Sequence, residues 1–287
     1  MYEINNIYKA DAAKGMKKLK DNTIYLTVTS PPYGEIRTYN GFKWDFKATA
    51  KQLYRVTKSG GVVVWVVADQ VIDGSESGES FRQALFFKDQ CGFRLHDTMI
   101  YQKNGISHPS TNRYSQCFEY MFIFSKGRPK TVNILKDRPL KWNAVTWKKS
   151  GIRNRDGSIE YKYDLKQTSP YGQRLNIWIY NVGFQHTTKD KVAKDHPALM
   201  PESLAQDHIL SWSNPGDLIL DPFSGGGTTC KMAKILGRKY LGFDISQEYV
   251  DIGRQRLQDS VSLHDTQNRW FCNFLAKKET NGKYGQF

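Results

Sequence analysis

Two separated peptides carry residue types that could do chemistry. Ser30-Pro31-Pro32-Tyr33 follows the apolar run 24–28, and Asp221-Pro222-Phe223-Ser224-Gly225-Gly226-Gly227-Thr228-Thr229 follows the apolar strand-like run 218–220. Consecutive prolines fix φ and lack amide protons, so nearby carbonyls stay free to accept hydrogen bonds. A Ser30 hydroxyl, a Pro31 carbonyl and a Tyr33 ring suffice to grip one exocyclic NH₂ and cover the flat face of its base. In the second peptide, glycines let backbone approach a ligand without a Cβ, and the helix start behind them offers N–H groups to an anion. Lys239-Tyr240-Leu241-Gly242-Phe243-Asp244 reads as the next strand, ending in an acid where α/β folds bind ribose hydroxyls. The pattern is not G-x-G-x-x-G and no Gly-Lys-Ser/Thr follows, which disfavours a triphosphate loop.

These residues need strands and helices to hold them. Runs 24–28 and 61–68 are β-branched and apolar, with a helical stretch 46–58 between them that ends at Gly60-Gly61. A second helix is expected over 79–90, then strands over 94–102 and 118–125 joined by a polar loop 104–112 beside the substrate. Helices are expected over 201–213, with Pro201 in the first turn, over 228–236, and over 246–258, with Ser246 as N-cap. Strand, glycine turn, helix and strand make a nucleotide-binding βαβ unit. Between 127 and 194 no helical period is visible. Lys and Arg recur there with Trp142, Trp147, Tyr161, Tyr163 and Tyr171, a mixture suited to phosphates and bases.

Taken in order, the motifs resemble those of bacterial and phage amino-methyltransferases of DNA, in the group whose catalytic motif precedes the S-adenosylmethionine motif. Asp11 resembles the acid that contacts the cofactor adenine, and Thr29-Ser30-Pro31-Pro32-Tyr33 resembles the catalytic motif. Phe118-Glu119-Tyr120-Met121-Phe122-Ile123-Phe124-Ser125-Lys126 resembles a late-strand signature. Ile177-Trp178-Ile179-Tyr180, followed by His196-Pro197-Ala198-Leu199-Met200-Pro201, resembles the segment near the methionine moiety. The peptide 221–229 and Asp244 resemble the cofactor loop and ribose acid, and the match covers nearly the whole chain.

The resemblance implies an α/β, Rossmann-like fold: a mostly parallel twisted sheet with helices on both faces and an inserted target-recognition region. The expected division is a catalytic half over 1–126, a recognition region over 127–194, a cofactor half over 195–258 and a polar tail over 259–287. It implies S-adenosylmethionine as cofactor, held by Asp11, Pro201, Asp221, Pro222, Phe223, Ser224, Gly225, Gly227, Thr228 and Asp244. The target base would leave the duplex and enter a pocket floored by Ser30, Pro31, Pro32 and Tyr33. In such families Ser at the first motif position is commoner for cytosine N4, and Asp or Asn for adenine N6. Ser30 therefore favours cytosine N4, with adenine N6 as the alternative.

Composition agrees with a nucleic-acid enzyme. At 287 residues the chain can bury one substantial core, and a net charge of +14 with 13% aromatic residues suits a polyanion such as double-stranded DNA. The N-terminus has no basic leader and the longest apolar run, 62–68, is too short to span a bilayer, so a cytoplasmic location in a bacterial or phage-type host is expected. Cys91, Cys117, Cys230 and Cys272 have neither C-x-x-C spacing nor a preceding proline. That spacing predicts no metal and no disulfide framework, and the lack of the Pro-Cys dipeptide usual in the cytosine carbon-5 family argues against methylation there, which needs a thiolate. Oligomeric state, monomer or homodimer, is left open. Rival readings are a nuclease built on Asp137, Glu160 and Lys162, which loosely fit an acid followed by Glu-x-Lys, and an inactive DNA-binding module. RNA is a further substrate alternative.

Overall fold

The computed structural model describes residues 2–32, 44–105, 111–140, 150–162, 170–183, 186–193 and 199–260. Tyr33, Trp142, Trp147, Tyr163, His196, Cys272 and the tail beyond Ser260 lie outside them. By contacts the chain divides into two compact units. The larger takes in Met1–Asn133 and Asn176–Arg269.

Its sheet has eight strands: β1 (Asn6–Lys9), β2 (Ile24–Thr29), β3 (Thr57–Val67), β4 (Arg94–Lys103), β5 (Phe118–Ser125), β6 (Ile177–Tyr180), β7 (Leu218–Asp221) and β8 (Lys239–Asp244), in the spatial order β1-β8-β7-β2-β3-β5-β4-β6. β5 runs antiparallel to β3 and β4, while the other neighbouring pairs are parallel. Strands covered on both faces read as continuous apolar runs, and Val62–Val67 is buried throughout.

Among the described residues six α-helices accompany the sheet: α1 (Ala12–Lys17), α2 (Phe46–Val56), α3 (Glu79–Leu85), α4 (Glu202–Trp212), α5 (Thr228–Ile235) and α6 (Gln247–Asp259). On one face Met16, Leu53, Ala84 and Phe87 pack with Val63, Trp65, Phe124, Leu220 and Phe243 in one buried cluster. On the other, His208 of α4 sits 3.2 Å from the Met121 sulfur and stacks on Trp178, with centroids 4.6 Å apart. The expected α/β, mostly parallel sheet with helices on both faces is what the chain forms.

Three element ends depart from the sequence reading. Helix α2 stops at Val56 and β3 begins directly at Thr57, before the Gly60-Gly61 pair. Thr57 is extended and its hydroxyl donates to the Leu53 carbonyl at 2.6 Å, closing the helix without a glycine. Gly60, at φ +80, instead lies within β3, whose register with β2 shifts between Ile24 and Leu26. The expected helix 79–90 is α-helical only to Leu85 and continues as a π turn over Phe86–Gln90, which buries Phe87. Pro201 is the N-cap of α4 and not a residue within its first turn.

The smaller unit, in its described part, lies within Ile134–Leu175. It holds an antiparallel hairpin of Ser150–Arg153 with Ile159–Lys162 and a short pairing of Arg138–Pro139 with Tyr171–Gly172. Its Asp137 carboxylate is forked by the Arg174 guanidinium, with Nε 3.0 Å from both oxygens.

Candidate active site

Parallel strands deliver their carboxyl ends to one edge, where open α/β sheets build ligand crevices. Along this edge the neighbours β1, β8, β7 and β2 present Asp11, Asp244, Asp221 and Ser30 in spatial succession. Lys9 is in register with Asp244, Asp221 with Gly242, and Leu220 with Thr27. Positions far apart in sequence thus share one line, because the crossovers return each strand beside another.

Side-chain hydrogen bonds fasten the two motifs together. The buried Thr29 hydroxyl donates to Asp221 Oδ1 at 2.7 Å, directly before Ser30. Thr229, in the first turn of α5, donates to the Val28 carbonyl at 3.0 Å. Asp221 also accepts the Phe223 N–H at 3.2 Å. Burial pushes the Asp221 carboxyl from its usual 3.8 up to about 6, against these hydrogen bonds, and the charge of Asp244 adds to the rise.

Asp244 organises the glycine turn. Its Oδ2 accepts the Gly225 N–H at 2.8 Å and its Oδ1 the Ser246 N–H at 2.9 Å. Burial raises its pKa, opposed by the N–H groups of Ser246, Gly225 and Ile245. Three N–H donors on a carboxylate with about four acceptor sites leave room for a further donor such as a ribose hydroxyl. Gly227, the N-cap of α5, has φ +76, and a Cβ there would lie 2.9 Å from the Gly253 Cα, so this glycine lets α6 close on the loop. Phe223 meets Trp44 edge-on, with centroids 4.8 Å apart, forming an aromatic wall the sequence reading did not anticipate.

The remaining expected site residues fall nearby in chain or fold. Asp11 caps α1, its Oδ1 accepting the Lys14 N–H at 2.9 Å. Pro222 and Ser224 are buried in the turn, and the Ser224 N–H donates to the Phe243 carbonyl at 2.8 Å. Pro31 is buried and Pro32 half-buried behind Ser30. Pro201 is buried at the start of α4. Thr228 accepts from Arg256 Nη1 at 3.1 Å. A separate cavity of about 330 Å³, lined by Tyr25, Lys58, Gly61, Lys130, Trp212 and Asp217, lies at the amino ends of β2, β3 and β7 and contains none of these residues.

Cys91 and Cys230 do not fit a nucleophile's part. Burial raises the Cys230 thiol far above its ordinary range and Cys91 to about 11, so both stay protonated at neutral pH. The nuclease reading also weakens, since Asp137 is already neutralised by Arg174.

Comparison with known proteins decides the family. Residues 24–255 match the family model N6_N4_Mtase, described as DNA methylase, and span both motifs. The chain belongs to this DNA methylase family. It is 55% identical over 249 residues to the orphan methyltransferase M.BamHII of Bacillus amyloliquefaciens, covering 86% of this chain and 94% of that one. The fold of this DNA methylase is that of the PvuII cytosine-N4-specific DNA methyltransferase, with a TM-score of 0.66 at 18% identity over 96% and 93% of the two chains. It is also similar to a Thermus thermophilus protein solved with S-adenosyl-L-methionine, with a TM-score of 0.57 at 21% identity over 88% of this chain and 95% of that one. Among the described residues no helix is long and apolar enough to cross a membrane.

Proposed function

We propose that this DNA methylase transfers a methyl group from S-adenosylmethionine to the exocyclic amine of a base flipped from duplex DNA, with cytosine N4 favoured over adenine N6. The observation that carries the reading is the joining of Ser30–Pro32 to the glycine turn through Thr29 and Asp221 at the ends of neighbouring strands. When bound, S-adenosylmethionine supplies an electrophilic methyl group on a positively charged sulfur. Asp244 would hold the ribose hydroxyls through its remaining lone pairs, Gly225, Gly227 and Thr228 would line the donor's path, and Phe223 would supply an apolar face. Asp11 and Pro201 complete the donor set we assign.

The Ser30 hydroxyl and Pro31 carbonyl accept the two N–H bonds of the target amine. They draw its lone pair out of ring conjugation and aim it, while Tyr33 stacks on the base. Orientation is the principal contribution, since a near-attack pose removes a large entropic share of the barrier. No covalent intermediate with the enzyme is required, in keeping with protonated Cys91 and Cys230. We assign residues 127–194 to target recognition and place the enzyme in the cytoplasm of a bacterial or phage-type host.

Ser30 favours cytosine, whereas the family spans both N4 and N6 enzymes. Mass spectrometry of nucleosides from duplex DNA treated with the protein and S-adenosylmethionine tests the proposal. N4-methylcytosine is the expected product. N6-methyladenine would overturn only the choice of base, and 5-methylcytosine would overturn the mechanism.

A further inference from the structure

Beneath the glycine turn lies a charge cluster that no sequence motif announced. Arg256 of α6 is wholly buried, and Lys231 of α5 is nearly so, with 10% of its side chain exposed. Arg256 Nε lies 2.7 Å from Asp190 Oδ2 and its Nη2 2.7 Å from Glu202 Oε1. Lys231 Nζ reaches the same two oxygens, at 2.7 and 2.8 Å. Thr188 joins them by donating to Glu202 Oε1 at 2.8 Å. A buried guanidinium is costly unless its partners are complete, and here they are. Its third arm, Nη1, donates to the Gly226 carbonyl and to the Thr228 hydroxyl.

That third arm gives the cluster a bearing on the site. The peptide between Gly226 and Gly227 is held at both ends, its carbonyl by Arg256 and its N–H by the Ser224 carbonyl at 2.7 Å. Glycine backbone has little stiffness of its own, so the loop takes its shape from such external holds. Leu199 closes the same position, its Cδ2 lying 2.8 Å from where a Gly226 Cβ would be.

Resting on the reading of turn 225–227 as the methyl-donor loop, we propose that Arg256, set by Asp190, Glu202 and Lys231, is a positioning residue that fixes donor affinity through the Gly226 carbonyl. Its influence falls on donor binding and spares the chemical step, because it touches the loop and neither the turn at Ser30 nor the target amine.

Steady-state kinetics of the full chain separate this from a purely structural role. Arg256→Lys keeps the charge but loses the fork that serves Asp190, Glu202 and the glycine loop at once. Losing a charge-assisted hydrogen bond to the loop should raise the KM for S-adenosylmethionine about tenfold, with kcat at saturating donor and the KM for DNA unchanged. Glu202→Gln, nearly isosteric and less exposed to misfolding, should move the same constant in the same direction. Adding Lys231→Met to Glu202→Gln restores charge balance and should recover most of the loss. Asp244→Ala serves as the control for the loop itself. If Asp244→Ala loses donor binding while folded Arg256→Lys and Glu202→Gln keep wild-type donor KM, the inference fails and the loop assignment stands. A lower melting temperature with no selective change in donor KM would also overturn it. If Asp244→Ala itself binds donor normally, the loop assignment falls and takes the inference with it.

Discussion

Thr29 has no reactivity of its own but ties the two motifs together. Its hydroxyl joins the strand end that carries Ser30 to Asp221, so the turn we assign to the amine and the loop we assign to the donor share one hydrogen bond. Thr29→Val is nearly isosteric and leaves a buried acceptor short of a partner, at about 1–3 kcal/mol. We expect kcat to fall about tenfold, with recovery in Thr29→Ser, measured under saturating donor and DNA. Asp221 itself should leave a signature in stability. Its folded pKa of about 6 exceeds the usual 3.8, so the folded state holds a proton more tightly than the unfolded one. The contribution of Asp221 to stability is therefore full below 3.8 and is lost as pH rises to about 6. Asp221→Asn cannot lose it, and urea midpoints should show the variant gaining on the wild type across that window. A constant difference between the two proteins would refute the assignment.

At the scale of elements, the turn between β7 and α5 depends on backbone that side chains would spoil. Gly227 combines φ +76 with a 2.9 Å approach from the Gly253 Cα to the position of any added Cβ. Gly227→Ala should cost about 1–3 kcal/mol through backbone strain and displacement of α6. Thermal unfolding would measure it. This unit was also the most legible in sequence: 239–244, 228–236 and 246–258 were marked by an apolar run, a glycine turn and a serine cap, and β8, α5 and α6 occupy nearly those bounds. The start of β3 was not, because Gly60-Gly61 looks like a helix terminator while Thr57 supplies the cap. Nor was the cluster around Arg256. Arg254-Gln255-Arg256 on a helix reads as solvated charge, and its partners Asp190 and Glu202 lie 66 and 54 residues away. Thr29 stood inside the motif 29–33 without a role, since only the pairing of β2 with β7 reveals its partner. The line Asp11, Asp244, Asp221 and Ser30 was legible as residues and invisible as a line.

For the whole molecule, a net charge of +14 makes DNA affinity a matter of counterions released as phosphates are neutralised. Arg153, ending the first strand of the smaller unit's hairpin, and Arg155, in the connection to the second, are exposed. Replacing both with Gln should weaken DNA binding and make the plot of log affinity against log salt shallower by about 2, if each meets one phosphate. An unchanged slope would remove them from the DNA interface. The larger claim is a division of labour along one sheet edge, with the donor held at β7 and β8 and the amine held at the end of β2. Calorimetry of S-adenosylmethionine binding, paired with single-turnover methyl transfer, tests it directly on Asp244→Ala and Ser30→Ala. The account predicts that Asp244→Ala loses donor affinity, whereas Ser30→Ala binds donor as the wild type does and transfers at least about tenfold more slowly. Loss of donor affinity in Ser30→Ala, or wild-type affinity in a folded Asp244→Ala, would contradict it.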